Sequence, residues 1–116
     1  MRVFRGHSRP VPAPVVLAIG NFDGVHLGHA ALVKRLAQVA EAFDLAPMVL
    51  TFEPHPREFF APDSAPARLT TLREKLELLG ECGARQAMIC PFNAAFAALS
   101  ADEFIEQVLV RGCQVR

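Results

Sequence analysis

The sequence predicts an α/β domain in which helices flank a parallel sheet, and three observations carry that reading. Residues 15–20, VVLAIG, are a short unbroken apolar run, as expected of a strand covered on both faces. Apolar residues at helical spacing follow, and the pairing of apolar run and helical stripe recurs downstream. Helix-start and helix-stop residues punctuate the segments in the alternation that joins parallel strands by helical crossovers.

The first helix is expected near 28–43. Leu32, Leu36, Val39 and Phe43 form its buried stripe, with Lys34, Arg35, Gln38 and Glu41 mostly off it. Pro47 opens a second strand, near 48–52. Residues 53–68 contain Pro54, Pro56, Pro62 and Pro66 and cannot stay regular for long. Thr71 and Glu74 then form a capping-box pattern that starts a helix over 72–82, with Leu72, Leu76 and Leu79 inward and Gly83 ending it. AMIC supplies a third strand near 87–90. Ser100 and Glu103 repeat the capping box before a helix over 101–111, whose stripe is Phe104, Ile105, Val108 and Leu109. Gly112 stops that helix, and CQVR begins a further strand on which the sequence ends. The domain therefore reads as stopping before its fourth strand is complete.

Composition narrows the function classes. The 116 residues can bury a real core, and twelve basic residues balance twelve acidic ones. No net field draws the chain to nucleic acid or to an anionic membrane, and no apolar stretch approaches the roughly 20 residues of a membrane span. The N-terminal MRVFRGHSRPVPAP is broken by prolines and lacks the apolar core of a signal peptide. Cys82, Cys90 and Cys113 have no metal-like spacing and read as reduced thiols of a cytoplasmic protein. Lys34 and Lys75 read as solvated helix faces.

The chemistry concentrates in GNFDGVHLGH, residues 20–29. It follows the first strand, where open α/β sheets bind their ligands. Gly20, Gly24 and Gly28 let backbone N–H groups approach a ligand, and the helix start attracts anions. His26 and His29 stand three apart, so both imidazoles project from one side of the first turn. Two such donors suit a phosphate whose charge grows during reaction. An H-x-x-H pair can also ligate a metal, but no third ligand stands at fixed spacing. A glycine-rich turn can equally be a mere tight connection. The stretch is neither a Walker A loop nor a GxGxxG fingerprint.

GNFDGVHLGH resembles the HxGH signature of the nucleotidyltransferase superfamily. With LTFEPHP and RLTTLREK downstream, and FNAAFAALSADEFIEQVL later, the chain resembles one branch over nearly its whole length. That branch is the FMN adenylyltransferase (FAD synthetase) module of bacterial bifunctional riboflavin kinase/FAD synthetases. The resemblance implies a Rossmann-like nucleotidyltransferase fold, with strand order 3-2-1-4-5, and transfer of AMP from ATP to FMN, giving FAD and pyrophosphate. It implies that His26 and His29 hold the ATP phosphates. Gly20, Asn21, Phe22, Asp23, Gly24 and Gly28 would shape the nucleotide pocket. Thr51, Phe52, Pro54, His55 and Pro56 would build the flavin side, with Arg68 near the FMN phosphate. Mg²⁺ would accompany ATP, with no protein ligand to name.

The family's later VVGxDFxFG-like and SSTxxR elements and its riboflavin kinase domain have no counterpart in these residues. Two other readings follow: a catalytically incomplete fragment that binds nucleotide or self-associates along an open strand edge, or a sister transferase with another phosphate acceptor.

Overall fold

The structure, a computed structural model, describes residues 1–6, 11–22, 27–53 and 71–115. Its elements are β1 (Arg2–Arg5), β2 (Val15–Ile19), α1 (Leu27–Ala42), β3 (Ala46–Glu53), α2 (Leu72–Cys82), β4 (Gln86–Pro91), α3 (Ala94–Ala97) and α4 (Ala101–Glu103). The chain of α4 continues directly as a π-helix, Phe104–Gly112. The four strands form one sheet in the order β1-β4-β3-β2, and every pairing is parallel. The expected α/β class and the three expected strands are therefore present.

Alternation along the strands sorts the core onto two faces. Val15, Met48, Leu50, Met88 and Cys90 point to one side and pack with Val108 and Cys113. Ala18, Val49 and Ala87 point to the other and pack with Val33, Leu36 and Leu79 of α1 and α2. Crossovers through α1 and α2 step the chain from β2 to β3 to β4. The π-helix returns it to the free side of β2, where Val115 bridges Val15 in parallel. A return in the opposite direction with the same hand must run over the opposite face. Strand order thus reverses at β2, and that reversal point opens the crevice of a doubly wound sheet.

Four expectations need correction. The strand β1 was not foreseen: Arg2–Arg5 precedes the proline-broken stretch and pairs with β4. The buried stripe of α1 is Val33, Leu36 and Ala40, whereas Leu32 is 46% and Phe43 71% exposed. Apolar residues occupy both sides of that boundary, and packing on β2 and β3 selects the rotation. The helix expected over 101–111 is α-helical only to Glu103. Beyond it the bonds lengthen to i→i−5, as from Cys113 N to Val108 O at 2.9 Å. The wider turn brings Arg111 Nε within 3.0 Å of Glu106 Oε1, five residues back, and leaves Ile105 half exposed. The fourth correction concerns Lys75, which is buried.

The local signals hold. Thr71 Oγ1 accepts from Glu74 N, and Glu74 Oε1 accepts from Thr71 N, both at 3.1 Å. Ser100 and Glu103 form the same reciprocal pair. These bonds hold the carboxyls of Glu74 and Glu103 below the usual range. Gly83 ends α2 with φ at 122°, a conformation that disfavours any residue with a β-carbon.

Cys90 and Cys113 are free and buried in one cluster. Burial, with the neighbouring Cys113 thiol adding to it, pushes Cys90 up to about 12; burial alone raises Cys113 to about 11. Because the folded values lie above the unfolded ones, the folded chain holds these protons longer. Stability should be complete below about pH 9 and decline as pH climbs toward 11 and 12. A thiol reagent at pH 8 should therefore modify the partly exposed Cys82 first, with Cys90 and Cys113 reacting only as the protein opens; mass mapping of the adducts over time checks this.

Candidate functional site

The carboxyl ends of β2 and β3 lie side by side. Gly20 N donates to Leu50 O at 3.0 Å, carrying the pairing one residue past β2. The chain then turns sharply. Phe22 takes φ of 55°, rare for a residue with a bulky side chain, and its ring folds back beneath the turn until it is 1% exposed. A β-carbon on Gly20 would stand 3.1 Å from Phe22 Cζ, so Gly20 is what lets the ring lie there.

The same ring reaches the first turn of α1. Phe22 and His29 meet in a T-shaped contact with centroids 5.2 Å apart, and His29 is half-buried with its Nδ1 atom inside. Gly28 and Leu27 are exposed beside it. The imidazole thus stands at the start of a 16-residue helix, beside the crevice, where helix N–H groups and dipole favour an anion.

Thr51 and Asn21 are tied together across the two strand ends. Thr51 Oγ1 donates to Asn21 O at 3.1 Å. Lys75, from the first full turn of α2, reaches under both: its Nζ donates to Asn21 O at 2.8 Å and to Thr51 Oγ1 at 2.9 Å. Thr51 is completely buried, and Lys75 is 1% exposed. A buried ammonium is tolerated only where hydrogen bonds replace its water, and these two acceptors supply that. The Asn21 side-chain Oδ1 is buried too and has no hydrogen-bond partner among the described residues.

Phe52 points to the other face of the sheet. It packs edge-on against Phe92 and Phe96, at 5.7 and 5.8 Å, and Phe96 meets Phe104 at 6.0 Å. This aromatic wall stands at the carboxyl ends of β3 and β4.

Of the residues singled out in the sequence, Gly20, Asn21, Phe22, His29 and Thr51 are brought together, Gly28 lies at the helix start, and Phe52 is separated from Thr51 by the sheet. Asp23, Gly24, His26, Pro54, His55, Pro56 and Arg68 lie outside the described residues. Lys75 was missed. Its one sequence signal is position: it stands three after Leu72 and four before Leu79, on the inward face of α2.

Among the described residues, no helix is long and apolar enough to cross a membrane.

A family model described as FAD synthetase matches residues 8–116. A bifunctional riboflavin kinase/FMN adenylyltransferase from Escherichia coli strain K12 is 48% identical over 119 residues, covering 100% of this chain. Its counterpart from Pseudomonas fluorescens is 42% identical, again over the whole chain. The chain spans 38% of the length of each of these relatives. The crystal structure of a macrolide-efflux protein from Streptococcus pneumoniae superposes with a TM-score of 0.81 at 22% identity, covering 99% of this chain and 39% of that one. At that identity it shows a shared fold alone.

Proposed function

Since the chain belongs to the FAD synthetase family, we propose that it carries the nucleotide and flavin loops of an FMN adenylyltransferase, which converts ATP and FMN to FAD and pyrophosphate in the cytoplasm. One observation supports this most: the turn after β2 and the end of β3, which carry the two recognised motifs, are locked to each other at the reversal point of the sheet. Both substrates would then meet over one crevice.

In this reading, an oxygen of the FMN phosphate attacks the α-phosphorus of ATP, the new P–O bond forms, and the bond to the β-phosphate oxygen breaks. Pyrophosphate leaves with that electron pair. FMN phosphate is already ionised at neutral pH, so the chain supplies position and charge neutralisation, not a covalent nucleophile. His26 and His29 donate to the phosphate oxygens as charge shifts onto the leaving group. Gly20, Asn21, Phe22, Asp23, Gly24 and Gly28 shape the nucleotide pocket. Thr51, Phe52, Pro54, His55 and Pro56 border the flavin, and Arg68 pairs with its phosphate. Mg²⁺ would accompany the triphosphate and offset part of its charge, with no side chain of this chain assigned to hold it.

The test uses protein made from the complete natural reading frame, supplied with ATP, Mg²⁺ and either FMN or rival phosphate acceptors. FAD and pyrophosphate should appear in equal amounts with FMN, and Arg68→Ala should raise the FMN requirement with ATP binding largely kept. Preference for another acceptor would overturn the reading. The 116 residues alone are a separate matter: beyond Val15, the outer edge of β2 has no strand partner among the described residues, and Val16–Ile19 line an apolar groove with Leu32 and Leu36. As an isolated polypeptide it should self-associate along that edge and form little FAD. A monodisperse monomer by light scattering would contradict this.

A further inference from the structure

We infer that Lys75 is a positioning residue for the His29 imidazole, acting through the backbone of Asn21 and the ring of Phe22. The inference rests on the adenylyltransferase reading for its effect on turnover, and on geometry alone for its effect on His29.

The chain of contacts is short. The Asn21 carbonyl accepts two hydrogen bonds, from Lys75 Nζ at 2.8 Å and Thr51 Oγ1 at 3.1 Å. A carbonyl oxygen has two lone pairs, so this one is saturated and the Asn21–Phe22 peptide is held in one orientation. That peptide leads directly into the φ of 55° at Phe22. The left-handed turn sends the ring back under Gly20 and against His29. Removing the ammonium leaves a peptide held by a single neutral donor before a conformation that phenylalanine disfavours. The turn then relaxes toward ordinary φ, and the ring withdraws from the imidazole.

Burial of Lys75 points the same way. A charged group so completely enclosed is poor as a stabiliser, because an apolar side chain of similar volume serves as well or better in such a place. Here the ammonium bonds two segments that stand 54 and 24 residues away from it in sequence, and both segments border the crevice. Its charge also lies beneath a site proposed to bind a polyanion.

The experiment compares wild-type protein from the complete natural reading frame with Lys75→Met, Thr51→Val, Thr51→Ser and, as a surface control, Lys34→Met. The ring-proton resonances of His29 should be displaced in the wild type by the Phe22 ring, which it meets in the T-shaped contact. In Lys75→Met they should move toward those of a free imidazole, and in Thr51→Val by a smaller amount. Thr51→Ser keeps the hydroxyl and Lys34→Met touches nothing in the crevice, so both should retain the wild-type positions. Turnover of Lys75→Met should fall about 10²-fold, the usual consequence of misplacing a reacting group by about 1 Å, with a much smaller change in KM for ATP. A Lys75→Met protein with unmoved His29 resonances would overturn the inference, including where its melting temperature drops. Should that variant fail to fold, an unmoved His29 signal in Thr51→Val overturns it instead. If the wild type forms no FAD, the activity reading falls, while the resonance comparison still decides the positioning role.

Discussion

His26→Ala or His29→Ala, in protein from the complete natural reading frame, should slow the proposed adenylyl transfer by about 10²–10³-fold, the usual loss when one preorganised donor to a developing charge is removed. FMN affinity should change little, because the proposed flavin residues lie at the end of β3 and after it in sequence, apart from the helix start that carries His29. The two imidazoles stand three residues apart in sequence, and His29 occupies the first turn of α1. The contact of His29 with Phe22 orients the imidazole before any substrate arrives, so in the proposed donor role it would need little reorganisation. Steady-state kinetics with varied FMN and ATP, read beside equilibrium FMN titration, separates the two effects. Near-normal turnover in both variants would remove the imidazoles from the phosphate chemistry.

Phe22→Ala should be the most damaging substitution to the fold. The ring is 1% exposed and packs with Val33, Leu36 and Val49, so its loss should remove about 3–5 kcal/mol. The melting temperature should drop by at least roughly 10 °C. A second variant isolates the backbone term. Glycine normally destabilises relative to alanine by about 0.5–1 kcal/mol, but at φ of 55° alanine is the strained residue. Phe22→Gly should therefore be no less stable than Phe22→Ala in thermal melts. If glycine shows its usual deficit, the left-handed conformation of this turn is wrong.

Sequence and structure agree where the determining interactions are local. Thr71 with Glu74, and Ser100 with Glu103, bond within one helical turn, so four residues of sequence are enough to place each helix start. The strands at Val15–Ile19, Ala46–Glu53 and Gln86–Pro91 announce themselves because burial on both faces demands unbroken apolar runs. Lys75 was hidden because its acceptors come from elsewhere in the chain, and a lysine on a helix ordinarily reads as solvated. The strand β1 was hidden for a related reason: RVFR acquires its meaning only from the edge of β4. In the last helix, an apolar stripe does not distinguish i→i−4 from i→i−5 bonding, so the π-helix was not legible. Of the candidate site, the motifs located the turn after β2 and the end of β3, but nothing local foretold that a buried ammonium would join them.

The pairing of β1 with β4 also has a bearing on the order in which the molecule is assembled. Arg2 lies opposite Gln86, so this edge closes over a stretch of 84 residues. Contacts that distant in sequence form late, because the entropy of closing the intervening chain must be met before the ladder returns any of it. On the ribosome Arg2–Arg5 emerges before its partner, which does not exist until α2 has been made. Until then Arg2–Arg5 has no strand to join, and afterwards the free edge of β4 stays open until this segment finds it. The strand β1 thus takes its place after β2, α1 and β3 can already have docked, although it was synthesised before all three.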